Sequence, residues 1–187
     1  MALRGVHGGV LAAVIAAAVC SGTAQAAPAS LPSYAQWQSD VKQVIDPAIP
    51  WLEDHLDEGG QKPAIVLDID NTALETGYHP GEPDKPVLAV AQWATDHGVS
   101  VLFATARSAG SASTTTDQLT SAGYAVDGLC TRESGDSSQG ATKQRCRQEY
   151  TDDGYVILEN IGNHDHDLAG GNYLKGYQLP DYDGQLS

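Results

Sequence analysis

The chain has 187 residues and a formal net charge of −14, with 41% hydrophobic and 18% charged residues. That length fits one domain able to bury a core without metal or disulfide support, and that composition excludes a disordered chain. The acidic balance argues against a nucleic-acid polymer or an anionic membrane as partner and points to a small substrate rather than a polyanionic one. Residues 1–26 read as an export signal: Arg4 is the basic start, residues 10–19 are an unbroken apolar run, and Ala24-Gln25-Ala26 is a small-x-small cleavage site. The run is too short for a permanent membrane span, so a soluble, secreted protein beginning at Ala27 is expected, with no membrane partner after cleavage. The mature domain then occupies residues 27–187. Its oligomeric state is left open.

Cleavage removes Cys20 and leaves Cys130 and Cys146. Val19 before Cys20 is too bulky for a lipid-attachment site. Two cysteines in an oxidising compartment predict one disulfide. Zinc is disfavoured, since no second Cys or His pair stands at ligand spacing around them.

Next come Tyr34, Trp37, Val41, Val44 and Ile45 at helical spacing. Pro47 and Pro50 break that helix, and Trp51, Leu52 and Leu56 predict a second short one ending at Gly59-Gly60. Core packing is the preferred role of Trp37 and Trp51. Apolar runs at 64–67, 99–104 and 155–158, with a weaker one at 128–131, lack clean alternation. Strands buried on both faces of a parallel sheet read this way. Between them lie a helix begun by Pro86 and stopped at Gly98, and helical stretches at 109–122 and 140–150. The alternation predicts an α/β three-layer sandwich of Rossmann-like form, with a central parallel sheet and an N-terminal helical segment.

Ligands of such sheets bind beyond the carboxyl ends of the strands, which directs attention to Asp68 and Asp70, Thr105 and Arg107, Arg132, and residues 163–167. Two carboxylates at i and i+2 on an extended chain project to one side. Burying both is costly without a cation or hydrogen bonds, so Asp68-Ile69-Asp70 asks for a hard metal ion.

In chain order, Asp68-Ile69-Asp70-Asn71-Thr72-Ala73-Leu74, then Phe103-Ala104-Thr105-Ala106-Arg107, Thr142-Lys143-Gln144-Arg145 and Asn160-Ile161-Gly162-Asn163 follow one another, with Tyr177-Gln178-Leu179-Pro180 behind. This set resembles the four motifs of the haloacid dehalogenase superfamily, in its secreted acid phosphatase branch, which includes plant acid phosphatases and vegetative storage proteins. The resemblance covers residues 65–179. It implies a magnesium-dependent acid phosphatase acting on small phosphomonoesters. Asp68 is then the nucleophile, forming an aspartyl-phosphate, and Asp70 the general acid and base. Thr105 and Lys143 bind and neutralise the transferring phosphoryl group, and Mg2+ sits among Asp68, the Asp70 carbonyl, Asn163 and Asp167. Two alternatives share the fold: a catalytically weak binding or storage protein, and a phosphotransferase to an acceptor alcohol.

Several positions carry a second reading. Thr105 is also placed to cap a helix. Lys143 taken alone is a solvated helix residue. Arg107 follows Ala106 where the family has glycine, and either contacts substrate or makes a structural ion pair. Arg132 reads as surface or structural support. At Asn163 the superfamily usually has aspartate, so a neutral amide replaces a charged metal ligand. His164 and His166 flank Asp165 and are read as solvent-facing in preference to a transition-metal site. The Pro-, Gly- and acid-rich stretch 75–85 is long enough for a flap over the site and too short for a cap domain.

Overall fold

The structure is a computed structural model, describing residues 1, 2, 5 and 30–186. The expected export signal falls almost wholly outside the described residues. From Leu31 onward the chain packs as one compact unit.

Helix α1, Tyr34–Ile45, starts at Ser33, whose hydroxyl accepts the Gln36 N–H and caps the first turn. It buries Trp37, Val41 and Ile45, the stripe expected from the sequence. Helix α2, Ala48–His55, follows and continues as a 3-10 turn over Leu56–Gly59. Strand β1 is Pro63–Leu67, and α3, Lys85–Asp96, carries its proline in the first turn. The rest comprises β2, Ser100–Ser108; α4, Ala112–Ser121; β3, Gly128–Arg132; α5, Gln139–Asp152; β4, Val156–Gly162; the single turn α6, Asp165–Leu168; and β5, Lys175–Gln178.

The five strands form one sheet in the order β3-β2-β1-β4-β5, and each neighbouring pair is parallel. Strand β5 was not expected as a strand. Its Lys175-Gly176-Tyr177-Gln178 is short and polar, as suits a sheet edge, and so carries no apolar run.

Alternate side chains divide the core between the two faces. Ile65, Leu67, Val101 and Phe103 pack in the cluster that holds Trp37, Leu52, Val87 and Val90 of α1, α2 and α3. Ala64, Val66, Leu102 and Ala104 face the other way, with Cys146 and Tyr150 of α5. Cys146 is joined to Cys130 of β3 by the expected disulfide. Lys143 therefore lies on the helix that the bridge ties to the sheet, one turn before Cys146.

Between β1 and α3 the chain forms turns rather than a cap domain. Leu74 and Glu75 are buried, and the Tyr34 hydroxyl and Gln38 amide of α1 both donate to Glu75 Oε1, at 2.7 and 3.2 Å. The stretch expected as a flap is drawn down against α1.

Candidate active site

Asp68 is the first residue past β1, the central strand, and its N–H donates to Ile161 O of β4 at 2.9 Å. Its carboxylate is 8% exposed and opens into a cavity of about 320 Å³. Asp70, Thr105, Lys143 and Asp167 line the same cavity, so residues from four separate stretches of sequence meet at one end of the sheet.

Lys143 is 2% exposed and sits at the centre of the cluster. Its ammonium donates to Asp68 Oδ1 and, at 2.7 Å, to Ala104 O. Asp167 Oδ1 lies 2.9 Å from the same nitrogen. Burial works against the ammonium, but two carboxylates more than offset it and raise the lysine above its ordinary value. Burial pushes the Asp68 carboxyl up to about 6, with Lys143 pulling it down and Asp167 raising it further. The solvated-helix reading of Lys143 is thereby excluded.

Asp70 is held differently. Arg107 grips it through two parallel bonds, Nη2 to Oδ1 at 2.7 Å and Nε to Oδ2 at 2.9 Å, and Thr76 Oγ1 donates to Oδ1 at 2.8 Å. Burial raises this carboxyl, but the Arg107 and Thr76 bonds prevail and hold it below the usual carboxylate range. The Arg107 guanidinium also donates to Gln118 Oε1 at 2.8 Å, so the arginine joins Asp70 to α4. Thr105 lies within β2 and caps no helix; its hydroxyl accepts the Arg107 N–H at 3.2 Å.

Two of the expected site residues do not line the cavity: Arg107, which is turned to Asp70 and α4, and Asn163. Asn163 is fully buried, with its amide nitrogen donating to Leu186 O at 2.8 Å. His164 and His166, by contrast, do line the cavity, with their rings stacked 4.8 Å apart.

The family model for subfamily IIIB of the HAD superfamily, described as acid phosphatase, matches residues 11–83 and 82–183. The chain belongs to that family. It is a phosphomonoesterase of the acid phosphatase type. Its fold is similar to that of the class C acid phosphatase from Bacillus anthracis, with a TM-score of 0.60 at 18% identity over 75% of this chain and 68% of that one. A search of curated proteins gave no match.

Phosphatases of this superfamily typically use a divalent metal. Among the described residues of this acid phosphatase, no three His, Cys, Asp or Glu side chains converge into a ready-made metal cluster. The donors present nonetheless fit a hard cation. Asp167 Oδ1 is buried and, although near Lys143, accepts no hydrogen bond of proper geometry. A buried carboxylate oxygen that shares the Lys143 ammonium with the Asp68 carboxylate is a donor such an ion can use.

Two supports of the phosphatase site escaped the sequence reading. Arg147, fully buried on α5, donates to the carbonyls of Asp167 (2.6 Å), Gly171 (2.9 Å) and Ala169. The Asn160 amide also donates to Asp167 O, at 2.9 Å. Together they fix the turn that presents Asp167. The spacing of Arg147 four residues after Lys143 puts both on one helix face, which was the available clue. Gln139 and Thr76 also line the cavity without any motif to mark them.

Proposed function

We propose that this protein is an exported phosphatase that hydrolyses small phosphomonoesters through an aspartyl-phosphate on Asp68. The observation that carries the reading is the buried Asp68–Lys143–Asp167 group at the mouth of β1, open to a cavity that Asp70 and Thr105 share. A cysteine pair closed as a disulfide supports the oxidising, exported setting, and no helix among the described residues is long and apolar enough to cross a membrane. The domain is taken as residues 27–187, following the export signal.

Asp68 attacks phosphorus as the bond to the leaving alcohol breaks, and the departing oxygen takes a proton from Asp70. Water then attacks the phosphoryl group and gives its proton back to Asp70. The Asp68–phosphorus bond breaks, releasing inorganic phosphate. Thr105 donates its hydroxyl to a phosphoryl oxygen, and Lys143 balances the negative charge carried by the group in flight. Arg107 is assigned to Asp70 rather than to substrate. Arg107 holds the Asp70 carboxyl low, which favours the ionised form that accepts the proton from water in the second step. The Asp68 and Asp167 carboxylates and the Asp70 carbonyl are the groups that would hold Mg2+. When bound, that ion neutralises charge on the transferring phosphoryl group.

The test is phosphate release from an aryl phosphate by the mature chain, with magnesium and with chelator. Asp68→Asn is expected to lower kcat by at least roughly a thousandfold while the protein stays folded. Substantial turnover by a mass-verified Asp68→Asn protein would remove the covalent mechanism.

A further inference from the structure

Two buried side-chain amides converge on one main-chain oxygen. Asn163 Nδ2 donates to Leu186 O at 2.8 Å, and Asn71 Nδ2 donates to the same atom at 3.1 Å. A carbonyl only accepts, so each amide must turn its nitrogen toward it. The orientation of Asn71 is fixed independently, since its Oδ1 accepts the Gly77 N–H at 2.6 Å. The oxygen of Asn163 is turned toward Thr72 Oγ1, 3.4 Å away. Two donors occupy both lone pairs of the Leu186 carbonyl.

The two asparagines belong to the two loops that carry the reaction. Asn71 directly follows Asp70 and adopts φ 56°, a left-handed conformation that asparagine tolerates better than most residues. Asn163 directly follows Gly162 at the end of β4 and precedes the turn that presents Asp167. The segment holding Leu186 is itself anchored. The Leu186 side chain is 1% exposed, and its Cδ2 stands 2.8 Å from where a Cβ on Gly77 would lie. Tyr182 donates its hydroxyl to Asp40 Oδ2 of α1 at 2.7 Å, and Asp181 Oδ2 lies 3.2 Å from His164 Nδ1.

We propose that residues 181–186 form a clasp that locks the Asp68–Asp70 loop to the Asp167 loop, and that Asn163 and Asn71 are positioning residues gripping the Leu186 carbonyl. This explains why position 163 carries an amide. An aspartate there has no donor for the carbonyl, and its charge would face an oxygen in a buried site. The residue that departs from the superfamily pattern is therefore a hydrogen-bond donor to the clasp and not a weakened metal ligand. The inference rests on the Asp68–Asp70 loop being the reacting one, as proposed above. Should Asp68→Asn retain turnover, that assignment fails, while the stability and metal-binding results below still judge the clasp.

The experiment uses Asn163→Asp in the mature chain. Measured are the Tm of chelator-treated protein, the Kd for magnesium by calorimetry, and kcat and KM for an aryl phosphate at 25 °C. The clasp predicts a Tm several degrees lower without metal, magnesium binding no tighter than wild type, and a kcat reduced roughly tenfold at nearly unchanged KM. Leu52→Ala, in the core under α2 and away from the site, serves as control: it lowers Tm but leaves kcat intact at that temperature. Tighter magnesium binding by Asn163→Asp with an unchanged metal-free Tm overturns the proposal. If Asn163→Asp does not fold, Asn163→Ala replaces it. A reduced kcat with magnesium Kd within about threefold of wild type supports the clasp. A Kd weakened more than about tenfold, with kcat restored at saturating magnesium, overturns it.

Discussion

Glycine 162 shows how little space the site leaves around its carboxylates. A Cβ at this position would stand 2.3 Å from Asp167 Cβ and 2.6 Å from Asp167 Oδ2. The obstacle is the root of a side chain pinned by Lys143 and by two donors on its own carbonyl, so it cannot swing away. Gly162→Ala is expected to displace Asp167 and lower kcat by roughly a hundredfold, at a stability cost of about 1–3 kcal/mol. Steady-state kinetics beside a thermal melt check this; wild-type kcat in the alanine protein would show that Asp167 has room to move. At this scale much of the site is legible in the sequence. Asp68, Asp70, Thr105 and Lys143 belong to recognisable motifs, Asp167 follows shortly behind another, and the fold brings them together. Asn163 is different, because its partner is a main-chain carbonyl more than twenty residues away. Any residue supplies a carbonyl, so no side-chain pattern announces the Leu186 contact.

Helix α5 is legible in the sequence as a helix, but its buried face is not. Its composition is strongly polar, yet Thr142, Lys143, Cys146, Arg147 and Tyr150 are all buried. Apolar periodicity cannot reveal such a face, since two of its buried side chains are cations satisfied by specific partners: carboxylates and a carbonyl for Lys143, mostly carbonyls for Arg147. The Tyr150 hydroxyl adds a bond to Phe103 O of β2 at 2.7 Å. The disulfide spans a sequence separation of 16 and ties this helix to β3. Opening a loop of that length costs roughly 3 kcal/mol through chain entropy, which in a chain of this size corresponds to a Tm lower by about 6–12 °C. The Cys130→Ser, Cys146→Ser double variant is expected to show that loss by calorimetry. It should also lose kcat more steeply with temperature, since Lys143 rides on the same helix. A Tm within about 1 °C of wild type would mean that the sheet holds α5 without the bridge. The contrast with β1, β2 and β4 is physical. Those strands bury both faces, so their apolar runs are continuous, whereas β5 lies at the edge and shows none.

Across the whole molecule, the buried acids set how stability responds to pH. Asp84, at the start of α3, is fully buried, and burial together with the nearby Glu75 pushes its carboxyl up to about 7. Glu159, in the middle of β4, is equally buried; burial pushes it up to about 8, with Tyr177 and Lys175 opposing. Both groups hold their protons in the folded protein across a range where the unfolded chain, with ordinary carboxyls near pH 4, has released them. The folded state therefore binds more protons, and stability falls as pH rises. The contribution is complete below about pH 4 and is lost by the time pH passes 7 to 8. Asp136, held low by the Arg145 side chain, acts in the opposite sense and loses its contribution only in strong acid. The formal charge of −14 adds repulsion at neutral and alkaline pH that weakens toward the isoelectric point near 4.5. These effects place maximal stability in mild acid. Glu159→Gln isolates one of them, because the amide keeps the size and cannot ionise. Its Tm should match wild type near pH 4.5, fall less between pH 6 and 8, and exceed wild type at pH 9. With Glu159 fully buried, the difference at high pH is on the order of a few kcal/mol. Melting curves from pH 4 to 9 for both proteins decide the matter: parallel profiles would mean that Glu159 ionises in the folded state as easily as in the unfolded chain.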